Sequence, residues 1–175
     1  MATIYYTAST VDGFIAAPDH SLEWLLSRDI DRSGAMNYPS FIANVGAIAM
    51  GSHTYEWIRD HGGGGWEYEQ PTWVFTTREM QRYGAGGAVH FTDADVCEVH
   101  AELAAAADGR DVWVCGGGDL AGQFADAGLL DELWVQWAPV ALGAGAPLLP
   151  RQIELRLDDL ARNNDFACAR YSVVR

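Results

Sequence analysis

Short apolar or alternating runs near residues 2–9, 46–50, 72–76, 88–91, 111–115, 132–138, 153–161 and 165–174 alternate with helix-period segments through residue 115 and are followed by strands. That order predicts an α/β fold: a mostly parallel mixed sheet ending in antiparallel C-terminal strands. Val112-Trp113-Val114-Cys115 has the continuous apolar character of a strand covered on both faces, whereas Leu133, Val135 and Trp137 alternate with Trp134 and Gln136. The clearest helix sets Val96, Val99, His100, Leu103, Ala104 and Ala107 at helical spacing, with Asp95 as its cap and Gly109 as its stop. Ser40–Asn44 ends another, Ser52 caps one running through Tyr55 and Ile58, and a fourth is predicted from Asp119 to Ala127. With no repeat and no linker-like shift in composition, the 175 residues are expected to form a single domain, with Gly62–Gly65 as a mobile surface loop. At this length about 70% of the unfolded surface can be buried, so the core needs neither disulfides nor a structural metal.

Charge narrows the function. Eleven basic against 24 acidic residues leave a net charge of −13, which repels phosphate backbones and anionic lipid, so neither nucleic acid nor a membrane surface is an expected partner. All 11 basic residues are arginine, which removes Schiff-base and P-loop lysine chemistry. No apolar run approaches the roughly 20 residues of a membrane span. Cys97, Cys115 and Cys168 are odd in number and widely spaced, and the N-terminus reads as a strand rather than a secretion signal; both point to the cytoplasm.

Three strand ends carry polar or glycine-rich turns. Asp111–Cys115 runs into Gly116-Gly117-Gly118 and a helix; Ala47–Met50 runs into Gly51, Ser52, His53 and Thr54; Trp73–Phe75 runs into Thr76, Thr77 and Arg78. The triple glycine alone fits either a tight strand-to-helix turn or a phosphate cradle, and it is not a GxGxxG fingerprint. In a parallel sheet, however, all three ends meet at the edge where ligands bind. Cys97 and His100 stand three apart on a helix but have no third ligand, so no metal site is expected; His20, His61 and His90 stand alone.

Ser9-Thr10-Val11-Asp12-Gly13-Phe14-Ile15-Ala16, then Met50-Gly51-Ser52-His53-Thr54-Tyr55-Glu56, then Gly116-Gly117-Gly118, then Pro139–Leu148 follow the order of motifs in the RibD C-terminal family. The chain resembles that family over nearly its whole length. The resemblance implies the dihydrofolate-reductase-like three-layer α/β/α fold and an NADPH-dependent reductase. It puts the cofactor's adenosine phosphate end at Gly51, Ser52, His53, Thr54, Thr76, Thr77 and Arg78. The pyrophosphate would lie over Gly116, Gly117, Gly118 and the helix start at Asp119, with Leu120 and Gln123 close by, and Ala8 and Ile15 would flank the nicotinamide. It further implies a cis peptide between the first two glycines. Arg78 can form a fork with a 2′-phosphate, favouring NADPH over NADH, although many dihydrofolate reductases carry arginine where this chain has Ser52.

The substrate side departs from the pattern. Dihydrofolate reductases hold the pterin with a helix carboxylate, and Ala35–Phe41 contains no acid. Asp12 and Tyr38 are the candidates for helping to deliver a proton, directly or through water; Asp12 fits an Asp-Gly turn equally well. Trp24 resembles the tryptophan of the family's substrate-closing loop, and with Phe14, Tyr38 and Phe41 it would form a stacking wall for a planar substrate. The expected activity is hydride transfer to a C=N or C=O bond of a small heterocyclic or carbonyl substrate. The alternatives are a riboflavin-pathway 5-amino-6-(5-phosphoribosylamino)uracil reductase and a non-catalytic NADPH-binding module. The family is often dimeric, and the seven tryptophans with the apolar segment Leu142–Leu149 suggest a homodimer contact.

Overall fold

The strand that opens the chain, β1 (Thr3–Thr10), lies in the interior of the sheet. The computed structural model describes residues 1–62, 66–80 and 88–175. After β1 come β2 (Phe14–Ala16), α1 (Glu23–Leu26), α2 (Tyr38–Ile42), β3 (Val45–Gly51), α3 (Ser52–His61), β4 (Thr72–Phe75) and β5 (Val89–Thr92). The chain continues through α4 (Val96–Ala107), β6 (Asp111–Gly116), α5 (Gly118–Asp126), β7 (Glu132–Ala138), β8 (Ala146–Pro147), β9 (Leu155–Asn163) and β10 (Phe166–Val173). Among the described residues, eight strands form the main sheet in the order β5-β4-β3-β6-β1-β7-β10-β9. Neighbours pair in parallel from β5 to β7, while β10 and β9 add antiparallel, as the strand and helix order predicts.

Strand pleating divides the core between the two faces of the sheet. Tyr5, Ala47, Ala49, Val112 and Val114 face one way and pack with Val99, Leu103, Leu120 and Phe124 of α4 and α5. Their neighbours Ile4, Tyr6, Ile48, Met50 and Trp113 face the other way and pack with Phe41, Tyr55 and Ile58 of α2 and α3. The result is the three-layer α/β/α arrangement, with Trp24 of α1 in a third cluster beside Ala138, Phe166 and Cys168. Fully burying a side chain such as Leu103 contributes about 2 kcal/mol.

α4 starts as its sequence dictates: the Asp95 carboxylate accepts from the Cys97 N–H at 2.8 Å. α3 corrects the expected cap. Ser52 is its first residue and extended Gly51 is the N-cap, because β3 runs directly into the helix. The β2–β8 ribbon was not signalled by periodicity, since strands of three and two residues carry no pattern. The tryptophans mostly pack internally: Trp24, Trp66, Trp73 and Trp113 are buried. Within the segment expected at a subunit contact, Leu148 is buried and its N–H donates to the Gly13 carbonyl at 2.8 Å. Of the expected glycine loop, residues 63–65 lie outside the described residues. No helix among the described residues is long and apolar enough to cross a membrane.

Gly46 shows how closely the layers meet. It sits at an irregularity in the β3–β6 pairing, and a Cβ there would lie 2.2 Å from the Ala107 carbonyl oxygen at the end of α4. Backbone meets backbone, so neither side can give way. Gly46→Ala is expected to lower stability by about 3 kcal/mol, read as a fall in the urea midpoint at unchanged slope.

Candidate active site

Two-sided burial leaves the carboxyl ends of β1, β3 and β6 as the place where these strands reach solvent, and a cleft of about 670 Å³ opens there. It receives Thr7 and Ala8 from β1, Gly51 from β3 and Cys115 and Gly116 from β6, with Ser52, His53 and Thr54 from α3 and Gly117, Asp119, Leu120 and Gln123 from the α5 start. Ile15, Ala16 and Pro147 of the β2–β8 ribbon close one side.

The three consecutive glycines do different work. A Cβ on Gly118 would fall 2.2 Å from the Pro147 carbonyl oxygen, so this glycine lets α5 dock on the ribbon. Gly116 has φ of 141°, a conformation side chains resist. Gly117 faces the cleft: its Cβ would meet only the Ile15 Cδ1, at 3.9 Å. The Gly116–Gly117 peptide is cis, as the resemblance implies.

Helix caps separate the cleft from the rest of the fold. α2 and α4 cap themselves through Asn37 and Asp95, whereas α3 and α5, which open on the cleft, start from Gly51 and Gly117 with no side-chain cap. In α5 the first helical bond runs from the Ala121 N–H to the Gly117 carbonyl at 3.1 Å, and the N–H groups of Gly118, Asp119 and Leu120 precede it. Glycine cap and uncapped amides together favour an anion. Asp119 opposes that field, but Arg151 binds it at 3.0 Å and Gln123 donates to it at 3.0 Å. These partners hold its carboxyl below the usual range.

The opposite end is aromatic. Tyr6, Tyr38, Trp57, Tyr68 and Trp113 line it, with Cys115 and Gln136. The Met36 carbonyl accepts from the Tyr6 hydroxyl at 2.8 Å and the Gln136 amide at 3.0 Å, which fixes both side chains. Buried Asn163 holds the loop before α2, accepting from the Asp31 N–H at 2.8 Å and donating to the Asp31 and Ala35 carbonyls, each at 2.9 Å. Burial pushes the Tyr38 hydroxyl up to about 12 and the Cys115 thiol up to about 12, and raises Tyr68 further. All three therefore stay protonated at neutral pH.

The structure gathers most of the cofactor residues named from sequence: Ala8, Ile15, Gly51, Ser52, His53, Thr54, Gly116, Gly117, Gly118, Asp119, Leu120 and Gln123 line the cleft. Thr76, Thr77 and Arg78 stand outside its lining, where Arg78 pairs with Glu56 of α3 at 2.9 Å. Of the substrate-side residues, only Tyr38 lines it. Trp24 and Phe41 are core, Phe41 stacking on Tyr6 at 4.3 Å, and Phe14 is spent in the ribbon. A wall of Trp24, Phe14 and Phe41 is corrected accordingly. Asp12 is corrected too. Its carboxylate accepts from the Thr10 hydroxyl at 2.5 Å and from the Leu142 and Gly143 N–H groups at 3.0 and 2.7 Å, which fastens two loops and leaves it outside the cleft lining.

Sequence reasoning missed Tyr68, Trp57, Trp113, Cys115, Gln136 and His20 as cleft residues. Trp113 and Cys115 were legible, since residues two apart on a strand share a face. None of the three lone histidines is isolated: His20 stacks on His53 at 5.0 Å, His61 on Trp57 at 4.5 Å and His90 on Trp73 at 4.6 Å. His100 Nε2 lies 3.0 Å from the Thr3 hydroxyl.

Layer order, strand order and a cleft at the switch in strand order define a dihydrofolate-reductase-like fold. The dihydrofolate reductase of Enterococcus faecalis, solved with NADP(H), superimposes with a TM-score of 0.59 at 15% identity, covering 99% of this chain and 97% of the other. A putative riboflavin biosynthesis protein from Shewanella superimposes with a TM-score of 0.84 at 23% identity over 100% of both chains. The RibD C-terminal domain profile matches residues 66–166, and the chain belongs to that family. The riboflavin biosynthesis protein RibD of Corynebacterium ammoniagenes is 31% identical over 150 residues, 81% of this chain. The chain spans 44% of that relative's length.

The Asp12 fastening is testable by pH. Thr10 and the Gly143 amide hold its carboxyl below the ordinary 3.8, so the carboxylate's contribution is complete above that value and lost as pH falls through its depressed folded value. Wild type is expected to be more stable than Asp12→Asn at pH 7. The gap should close below about pH 4, measured as urea midpoints across a pH series.

Proposed function

We propose that this chain is a cytoplasmic NADPH-dependent reductase that moves hydride to a C=N or C=O bond of a small heterocyclic or carbonyl substrate. The observation that carries this reading is the two helices that start from glycine without a side-chain cap, α3 and α5, opening on one cleft with Gly117 left clear for a ligand. The residues fit a dinucleotide. The amides at the α5 start would take the pyrophosphate, Ser52, His53 and Thr54 the adenosine phosphate end, and Ala8 and Ile15 would flank the nicotinamide ring. At the rim, Thr76, Thr77 and Arg78 would meet the 2′-phosphate, Arg78 leaving Glu56 for it. NADPH, when bound, supplies the hydride. The protein positions the reactants, and the Tyr38 hydroxyl, protonated at neutral pH and standing at the rim with 41% exposure, delivers the proton and recovers it from solvent.

Kinship with the Corynebacterium RibD favours a second reading, a riboflavin-pathway reductase acting on 5-amino-6-(5-phosphoribosylamino)uracil.

Titration with NADPH and NADH, followed by tryptophan quenching, tests the cradle. Gly117→Val adds bulk where only Ile15 is near, so it should fold normally and lose NADPH binding; retained affinity would overturn the cradle assignment. Arg78→Ala should erase the preference for NADPH over NADH.

A homodimer is also proposed, on a different surface from the one expected. A register shift at Asp158 puts Leu155, Leu157 and Leu160 on one side of edge strand β9, and Leu157 and Leu160 are 53% and 63% exposed. Sedimentation equilibrium should give a dimer mass for the wild type and a monomer mass for Leu157→Asp.

A further inference from the structure

Gln136 of β7 stands beside Ala8 of β1, its partner in the parallel pairing, and paired residues share a face of the sheet. On its other side it pairs with Cys168 of β10. It is a polar side chain in a packed setting, only 7% exposed, and it lines the cleft.

One end of its amide is committed. Nε2 donates to the Met36 carbonyl at 3.0 Å, and that bond fixes which end is which, since only the NH2 can meet a carbonyl oxygen. The Met36 carbonyl is itself filled, because the Tyr6 hydroxyl donates to it at 2.8 Å and takes the second lone pair. The loop that presents this carbonyl is held in turn. Met36 sits at a left-handed φ of 49°, and the Ala35 carbonyl before it accepts from buried Asn163 at 2.9 Å.

The other end is open. Oε1 of Gln136 accepts from no group among the described residues, and it is not sealed in the core: the sealed side-chain atoms without a partner belong to Trp24, Trp66 and Arg170. A side chain more than nine-tenths buried thus keeps one acceptor turned to the cleft, with its orientation set from behind. The group that completes it must be a donor. Glutamine carries no charge and exchanges no proton, so its part is selection rather than acid–base chemistry. Adjacent strands lie about 4.8 Å apart, which sets this acceptor next to Ala8, where the nicotinamide ring is proposed to lie.

We propose that Gln136 is a specificity-determining residue of the cleft: its Oε1 accepts from an N–H of the substrate that neighbours the C=N or C=O bond to be reduced. The inference rests on the reductase reading and narrows it. Cyclic amides, amidines and related rings with the N–H beside the reducible bond satisfy the amide oxygen. Aldehydes, ketones and lactones, which lack that N–H, leave it unpaired and are selected against.

The test is isothermal titration calorimetry on the full chain, with and without NADPH, using two bicyclic probes of the same shape. Quinoxalin-2(1H)-one carries an N–H beside its C=O; 2H-1,4-benzoxazin-2-one has a ring oxygen in place of that N–H. Wild type should bind the first at least about tenfold more tightly, the worth of one hydrogen bond. Gln136→Met keeps the bulk and removes the acceptor, and should bring the two affinities together. If Gln136→Met does not fold, Gln136→Asn, which withdraws the amide by one methylene, replaces it and should lose the preference as well. A preference retained in the folded variant, or equal binding of the two probes to wild type, would overturn the proposal. NADPH binding with neither probe bound removes this inference and leaves the reductase reading. The expected preference without NADPH binding does the reverse.

Discussion

Strands β1, β3 and β6 are covered on both faces, and that coverage governs where anything can bind. Their residues alternate between two cores, Val112 and Val114 against α4 and α5, Trp113 against α2 and the segment at Tyr68. Backbone amides and carbonyls in the middle of such strands are committed to neighbouring strands. Ligand chemistry is thereby pushed to the strand ends, where β3 and β6 release the chain into helices. The docking of Gly118 on the carbonyls of Pro147 and Leu148 then fixes how α5 leaves β6, and turns Gly117 toward open space.

The cleft divides by polarity along its length. One end presents amides at uncapped helix starts, suited to phosphate groups despite the chain's net charge of −13. Arg151 makes this workable by holding both Asp119 and Asp126, at 3.0 and 2.7 Å, so that the acid in the first turn of α5 is partnered. The other end is walled by tyrosine and tryptophan and carries neutral donors. These two environments suit the two parts of the proposed hydride transfer, an anionic carrier and a planar acceptor.

Several polar residues that read as chemistry in the sequence act as fasteners in the structure. Asp12 ties the turn after β1 to the chain at Leu142 and Gly143, and so holds the ribbon that carries Ile15 and Pro147 into the cleft. Asn163, on the penultimate strand, secures the loop that ends at Met36, whose carbonyl orients Tyr6 and Gln136. Both support the site from outside its lining. A short carboxylate or amide satisfies loop amides as readily as it meets a substrate, and sequence alone does not distinguish these uses.

Sequence by itself determined the eight strands of the main sheet, its mostly parallel sense with an antiparallel end, the α4 boundaries with the Asp95 cap, and the triple-glycine strand-to-helix turn between β6 and α5. These are local: periodicity, capping and turn chemistry are written within a dozen residues. Tertiary structure alone decided that Tyr68 joins Tyr38 and Cys115 beside Trp113, that His20 stacks on His53, that Trp24 and Phe41 belong to the core, and that Arg78 pairs with Glu56. Each of those outcomes depends on segments brought together from separate elements, and which face of a side chain meets solvent is settled only when both cores close around the sheet.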